Sequence, residues 1–284
     1  MKRVLSGSLA LLALTVGLQA RIQEKSIQEE LRPGFQKIIE MGRVLGKIHP
    51  FFKKLYPIAV VEEERFFIFD IEQGKEEYVF VKDVPVTSPV PEGVRAAFPL
   101  SFYEDRMACV VTPDALSDTE GLVMIFHEFV HCRQNDLGEQ KIKSTLGIAR
   151  KARADQNVMW EINHPFPYQD ELFVEIYAMF LEAVARGDEG MVTRCRMSLR
   201  EILNDDDFEY LLWQEWKEGF ARWMENRARV KLGLEINRGW AQPPFDRVSF
   251  YAGGAALIAM LVKADEEMET DLEGLFTKMK SLSF

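Results

Sequence analysis

Residues 127–131 read His-Glu-Phe-Val-His, which places two of the chain's four histidines four positions apart. On an α-helix, positions i and i+4 share a face, so both imidazoles can reach one metal ion. The Glu128 carboxylate, beside the first histidine, would then stand close enough to a metal-bound water to take its proton. Zinc suits such a set because it accepts nitrogen and oxygen donors and leaves one tetrahedral position open. It also lowers the pKa of bound water to roughly 7. The chemistry these residue types could do is metal-assisted hydrolysis, and it requires a third protein ligand.

The other histidines are His49 and His164, and no histidine follows His131 at short spacing. A carboxylate is therefore the expected third ligand. Two candidates stand out: Glu218 within Trp-Lys-Glu-Gly-Phe-Ala (216–221) and Glu175 within Val-Glu-Ile-Tyr-Ala (174–178). At 100° per residue, Trp213, Trp216, Phe220 and Trp223 form an apolar stripe, and Glu218 lies opposite with Arg222, Glu225 and Arg229. That pattern reads as a solvated charged face, although Gly219 and Ala221 leave room for another helix. Around Glu175 the helix is apolar nearly all round, and a carboxylate in such a setting needs a metal, an arginine or a histidine as partner. Periodicity slightly favours Glu175, and both remain open.

These residues need a scaffold. Residues 22–56 carry apolar positions at helical spacing, and Pro33-Gly34 and Pro50 are expected to break them into two or three helices. Strands follow at 58–61, 65–71 and 78–81, the last two joined by a turn at Gln73-Gly74-Lys75. The proline-rich stretch 84–99 reads as a loop, and 107–112 as a further strand. Ser117-Asp118-Thr119-Glu120 has the form of a capping box opening the helix with both histidines. More helices are expected near 139–160, 169–186, 189–203, 206–232, 248–264 and 268–281. The fold class is thus α+β: a small antiparallel sheet followed by a predominantly helical part. The expected organisation is one domain over 21–284, with a helical segment at 21–57, the sheet at 58–112 and the metal-binding helices at 113–284.

Composition narrows the function classes. With 284 residues, 47% of them hydrophobic, the chain can bury a large core, which excludes disorder. A formal charge of −10 without a basic stripe makes nucleic acid a poor partner. Cys109, Cys132 and Cys195 match neither a zinc-ribbon spacing nor a disulfide framework. Lys2 and Arg3 precede 15 uncharged residues, Val4 to Leu18, and Leu18-Gln19-Ala20 has a cleavage-like form. The expectation is a secretory signal over 1–20 and an exported protein. It is membrane-anchored only if that segment stays uncleaved, and no later segment is expected to span a membrane.

The His-Glu-Phe-Val-His helix, the segment 216-WKEGFARWME-225 and the segment 251-YAGGAALIAML-261 together resemble the peptidase-MA-like branch of the gluzincins, a zincin metallopeptidase group. The resemblance covers roughly residues 108–282. It implies zinc held by His127, His131 and Glu218, with Glu128 as general base. The gap of 86 residues between His131 and Glu218 is far longer than the gap of about 20 in the simplest gluzincins. That keeps Glu175 as the alternative third ligand, or as an acid that holds a histidine. Tyr251 is the implied donor to the developing oxyanion, with Tyr177 and His164 behind it. Chain order alone suggests the strand at 107–112 as an edge with which a peptide substrate could pair. The expected activity is that of an exported zinc peptidase acting on peptide or protein. The rival expectation is a non-catalytic envelope binding or assembly protein that retains the scaffold.

Overall fold

A computed structural model of the chain describes residues 27–283 apart from Gln73, Ser88, Trp240 and Ala241. The proposed signal over 1–20 and one residue of the turn at 73–75 lie outside the described residues. The chain is α+β, and its described residues divide into two compact units, one formed by 27–47 with Leu55–Ile125, the other by Ile48–Lys54 with 126–283.

The first unit contains a five-stranded sheet. Its strands are β1 (Ile58–Glu62), β2 (Arg65–Ile71), β3 (Tyr78–Pro85), β4 (Arg95–Leu100) and β5 (Arg106–Val111), in the order β3-β2-β1-β5-β4. Three neighbouring pairs are antiparallel, but β1 and β5 run parallel. The sheet is therefore mixed rather than antiparallel. The difference arises in the stretch read as a loop. Its residues 95–100 form β4, which makes a hairpin with β5 and takes the outer edge. Pro85 and Pro99 are tolerated because both sit on edge strands, where a missing N–H costs no ladder bond. With β1 on one side and β4 on the other, β5 is not the free edge expected for substrate pairing. One face of the sheet buries Ala59, Phe66, Ile68, Ala108 and Val110 with Leu100.

Helix α1 (residues 27–45) runs unbroken through Pro33 and Gly34, against the expected break. Pro33 lies on the exposed face, where water can satisfy the carbonyl that its missing N–H leaves free. Gly34 faces inward, and a Cβ there would stand 2.7 Å from the Leu116 Cβ. Phe35 packs on Phe69 and Tyr78 at ring-centroid distances of 4.6 and 5.0 Å. Helix α2 (Thr119–Leu137) carries the two close histidines. Its N-cap is Asp118, whose Oδ1 accepts from the Gly121 N–H at 2.8 Å. Ser117, the expected cap, instead donates to the Asp114 carbonyl.

The second unit is helical: α3 (Glu139–Thr145), α4 (Gly147–Ala154), α5 (Trp160–Asn163), α6 (Glu171–Arg186), α7 (Glu189–Ile202), α8 (Asp205–Leu232), α9 (Arg247–Ala264) and α10 (Leu272–Ser281). The helix expected over 139–160 is split, because Leu146 is extended and turns its side chain inward. The 28-residue α8 is the axis of the unit. It is capped by Asn204 at its start and by Gly233 in the left-handed conformation at its end. Trp213, Trp216 and Phe220 on it are fully buried. Helix α9 starts at a capping box made by Asp246 and Ser249. It is long and apolar enough to cross a membrane by composition, with a mean hydropathy of 1.3, which the sequence expectation missed. Half of that stretch is buried inside the protein, as in a core helix.

Helices α8 and α9 meet backbone to backbone. A Cβ on Gly219 would lie 2.6 Å from the Gly254 Cα, and one on Gly254 would lie 2.2 Å from the Glu215 carbonyl oxygen. Neither neighbour is a flexible side chain, so added bulk must move a helix. Gly254→Ala is expected to lower stability by about 1–3 kcal/mol, the usual range for overpacking. An unchanged urea midpoint in this variant would contradict the close crossing.

Candidate metal centre

Within α2, the i, i+4 spacing puts His127 and His131 on one face with their Nε2 atoms 3.2 Å apart. Glu218 of α8 joins them. Its Oε2 is 3.3 Å from His131 Nε2 and 3.8 Å from His127 Nε2. The ligand atoms of these three residues all lie within 4.8 Å of one another. Both histidines are buried, and the Glu218 side chain is 15% exposed.

The other ring nitrogens are committed. His127 Nδ1 is 3.1 Å from Glu225 Oε2, and His131 Nδ1 is 2.8 Å from Gln134 Oε1. Gln134 is oriented by its own amide nitrogen, which donates to the Lys217 carbonyl at 3.0 Å. With acceptors facing both Nδ1 atoms, each Nδ1 carries its proton and each Nε2 presents a lone pair. Two lone pairs and a carboxylate facing one point require a cation. In a tetrahedral site with bonds of roughly 2.0–2.1 Å, neighbouring ligand atoms stand about 3.3–3.4 Å apart, near the spacings found here. The residues fit zinc by donor type and by spacing.

When no ion is bound, a proton takes its place. Burial works against charge on His127, but the Glu218 and Glu225 carboxylates facing its two ring nitrogens overcome it and push the imidazole up to about 10. Burial likewise opposes charge on Glu218, yet the two imidazoles hold it well below the carboxylate range. Glu225 is fully buried and is held down at about 2, against the cost of burial, by His127, Arg222 and Arg229. Arg229 Nε donates to it at 2.8 Å, Asn237 Nδ2 donates at 3.2 Å, and Arg222 Nε lies 3.0 Å away. Glu128 is buried beside His127. Burial raises its pKa, partly countered by the two histidines, and this favours a group able to accept a proton near neutral pH.

Tyr251 and Arg247 reach this centre from the first turns of α9. The Tyr251 hydroxyl accepts a hydrogen bond from Arg247 Nη1, and that nitrogen is 3.8 Å from Glu218 Oε1. Guanidinium carbons of Arg222 and Arg247 lie 5.5 and 5.3 Å from the Tyr251 ring, which they hold in place. Burial, then the Glu218 charge, raises the pKa of the Tyr251 phenol, so it stays a donor.

The structure brings His127, Glu128, His131, Glu218 and Tyr251 together and leaves the other candidates elsewhere. Glu175 is exposed on α6, outside the ligand group. Tyr177 is fully buried, and its hydroxyl donates to Glu215 Oε1 at 3.1 Å. His164 Nε2 is engaged by Asp207 Oδ1 at 2.6 Å, and buried His49 is pushed down to about 3, by burial first and then by Arg227. The face of Glu218, Arg222, Glu225 and Arg229 is not a solvated charged surface: Arg222 and Glu225 are buried on it. Sequence reading missed Gln134, Glu225 and Arg247 as parts of the site. Their signals were spacings: three residues after His131, seven after Glu218 and four before Tyr251. The three cysteines are buried and form no disulfide among the described residues.

A raised His127 pKa stabilises the metal-free fold fully below the ordinary value of 6.5, and that contribution is lost as pH rises through about 10. Metal-free protein should therefore lose stability across this window, and zinc-loaded protein should not. Zinc uptake near pH 7 should release about one proton per ion, because the imidazole must give up its proton to bind. Melting curves over pH and calorimetry in buffers of differing ionisation enthalpy check both. Glu225→Gln should weaken zinc binding about 10–100-fold.

A scan against protein-family models, a search of curated proteins and a search of solved structures each return no match for this chain, so the site is read from its own geometry.

Proposed function

We propose that this protein is a zinc-dependent hydrolase, most simply a peptidase, working outside the cytoplasm. The observation that carries the reading is the convergence of two imidazole lone pairs and the Glu218 carboxylate beside a buried Glu128. Export rests only on the composition of residues 1–20, and peptide as substrate on the resemblance described above.

In this reading His127, His131 and Glu218 hold the ion, whose Lewis acidity would activate water and polarise the scissile carbonyl. Glu225 and Gln134 keep each imidazole in the tautomer that presents Nε2. Glu128 takes the proton of the attacking water at its carboxylate oxygen and returns it to the leaving amine. The Tyr251 hydroxyl accepts from Arg247 and turns its own proton toward Glu218; once Glu218 binds the ion, that proton would be available to the developing oxyanion.

Purified protein should contain about one zinc per chain by elemental analysis, and His127→Ala should abolish uptake. Glu128→Gln should keep the zinc and lose roughly 10²–10⁴-fold in peptide hydrolysis. A chain without zinc would overturn the metal reading. Equal hydrolysis by Glu128→Gln and the unchanged protein would favour the non-catalytic scaffold.

A further inference from the structure

Resting on that reading, we propose that Arg247 is the specificity-determining anchor for a carboxylate of the substrate, so that the enzyme acts next to a negatively charged group. Arg247 is the first residue of α9, and the Asp246 capping box fixes where its side chain starts. A guanidinium has five N–H donors. Among the described residues, that of Arg247 donates one hydrogen bond, to the Tyr251 hydroxyl. Its side chain is 31% exposed and stands beside the ligand group.

The charge balance points the same way. Asp246, the acid next to it in sequence, is occupied by the Ser249 N–H and hydroxyl. The other acid at hand is Glu218, whose Oε1 stands 3.8 Å away, beyond hydrogen-bond distance. Binding of a divalent ion by Glu218 takes up that carboxylate's charge. Arg247 is then a cation without a counter-charge, one ligand away from the reacting centre. Its further electrostatic neighbours are the phenols of Tyr210 and Tyr168, and the Tyr210 hydroxyl donates to the Glu161 carbonyl at 3.1 Å. A planar, half-covered guanidinium among phenols is suited to bidentate recognition of a carboxylate. The carboxylate can be a peptide's C-terminus or an acidic side chain beside the scissile bond.

The test uses the zinc-loaded full chain and needs no turnover. Mercaptoacetic, 3-mercaptopropanoic and 4-mercaptobutanoic acids and their amides are titrated by calorimetry, with zinc content measured for every variant. The best acid should bind at least tenfold more tightly than its amide. Arg247→Gln should reduce that preference to less than about threefold, and Arg247→Lys should restore part of it. Equal binding of acids and amides, or an undiminished preference in Arg247→Gln, overturns the proposal while leaving the metal reading intact. A chain that takes up no zinc overturns both. A peptide arm separates the two sources. Loss of cleavage on C-terminal amidation assigns the main-chain carboxylate, and cleavage of amides only beside Asp or Glu assigns the side chain. Indifference to both overturns the anchor.

Discussion

The contact on which the second unit depends is the crossing of α8 and α9 at Gly219 and Gly254. Glycine at both positions lets two helix backbones touch, so residues near the crossing project into a shared space. Glu218 directly precedes Gly219, and Tyr251 lies three residues before Gly254. A crossing widened by even one methyl group would carry Arg247 and Tyr251 away from Glu218. The glycines thus set the geometry of the candidate metal centre through distance, without being part of it.

A second constraint is charge. Helix α8 buries Glu215, Arg222 and Glu225, and each such group needs a partner, because an unpaired buried charge is costly. Some partners come from other helices, Arg196 for Glu215 and His127 for Glu225, while Arg229 reaches Glu225 from one turn further along α8. Lys217 is held by Glu161 and Glu139 at 2.9 and 3.2 Å. Burial alone would disfavour its charge, yet these acids raise its pKa above the ordinary value. Pairs of this kind are weak evidence for high stability. They are stronger evidence for one defined arrangement, because a helix turned by one residue would strand several charges at once.

Much of this was legible in the sequence, and the limits have physical causes. The pairing of His127 and His131 on one helix face followed from a spacing of four, since periodicity fixes which residues share a face. Glu218 and Glu175 could not be separated that way, because a helical wheel gives an angle and not a neighbour. The Glu218 face looked solvated since its charges were visible, while the partners that bury it, His127 and Asn237, lie 98 and 12 residues from Glu225. Strand β4 was hidden by prolines that weaken central strands and are harmless on an edge. The proline in α1 misled in the same manner: its cost depends on whether solvent reaches the freed carbonyl.

The buried thiols have a consequence of a different kind. Cys109 lies in the first unit, and Cys132 and Cys195 in the second, all shielded from solvent. Burial raises the pKa of the Cys132 thiol well above the ordinary value and raises that of Cys195 as well, so neither is a ready nucleophile in the closed protein. Alkylation by an added reagent must then wait for a local opening, and its rate measures how often that opening occurs. Cys132 directly follows His131, so its labelling is a clock for the fraying of α2 itself, with no engineered probe required.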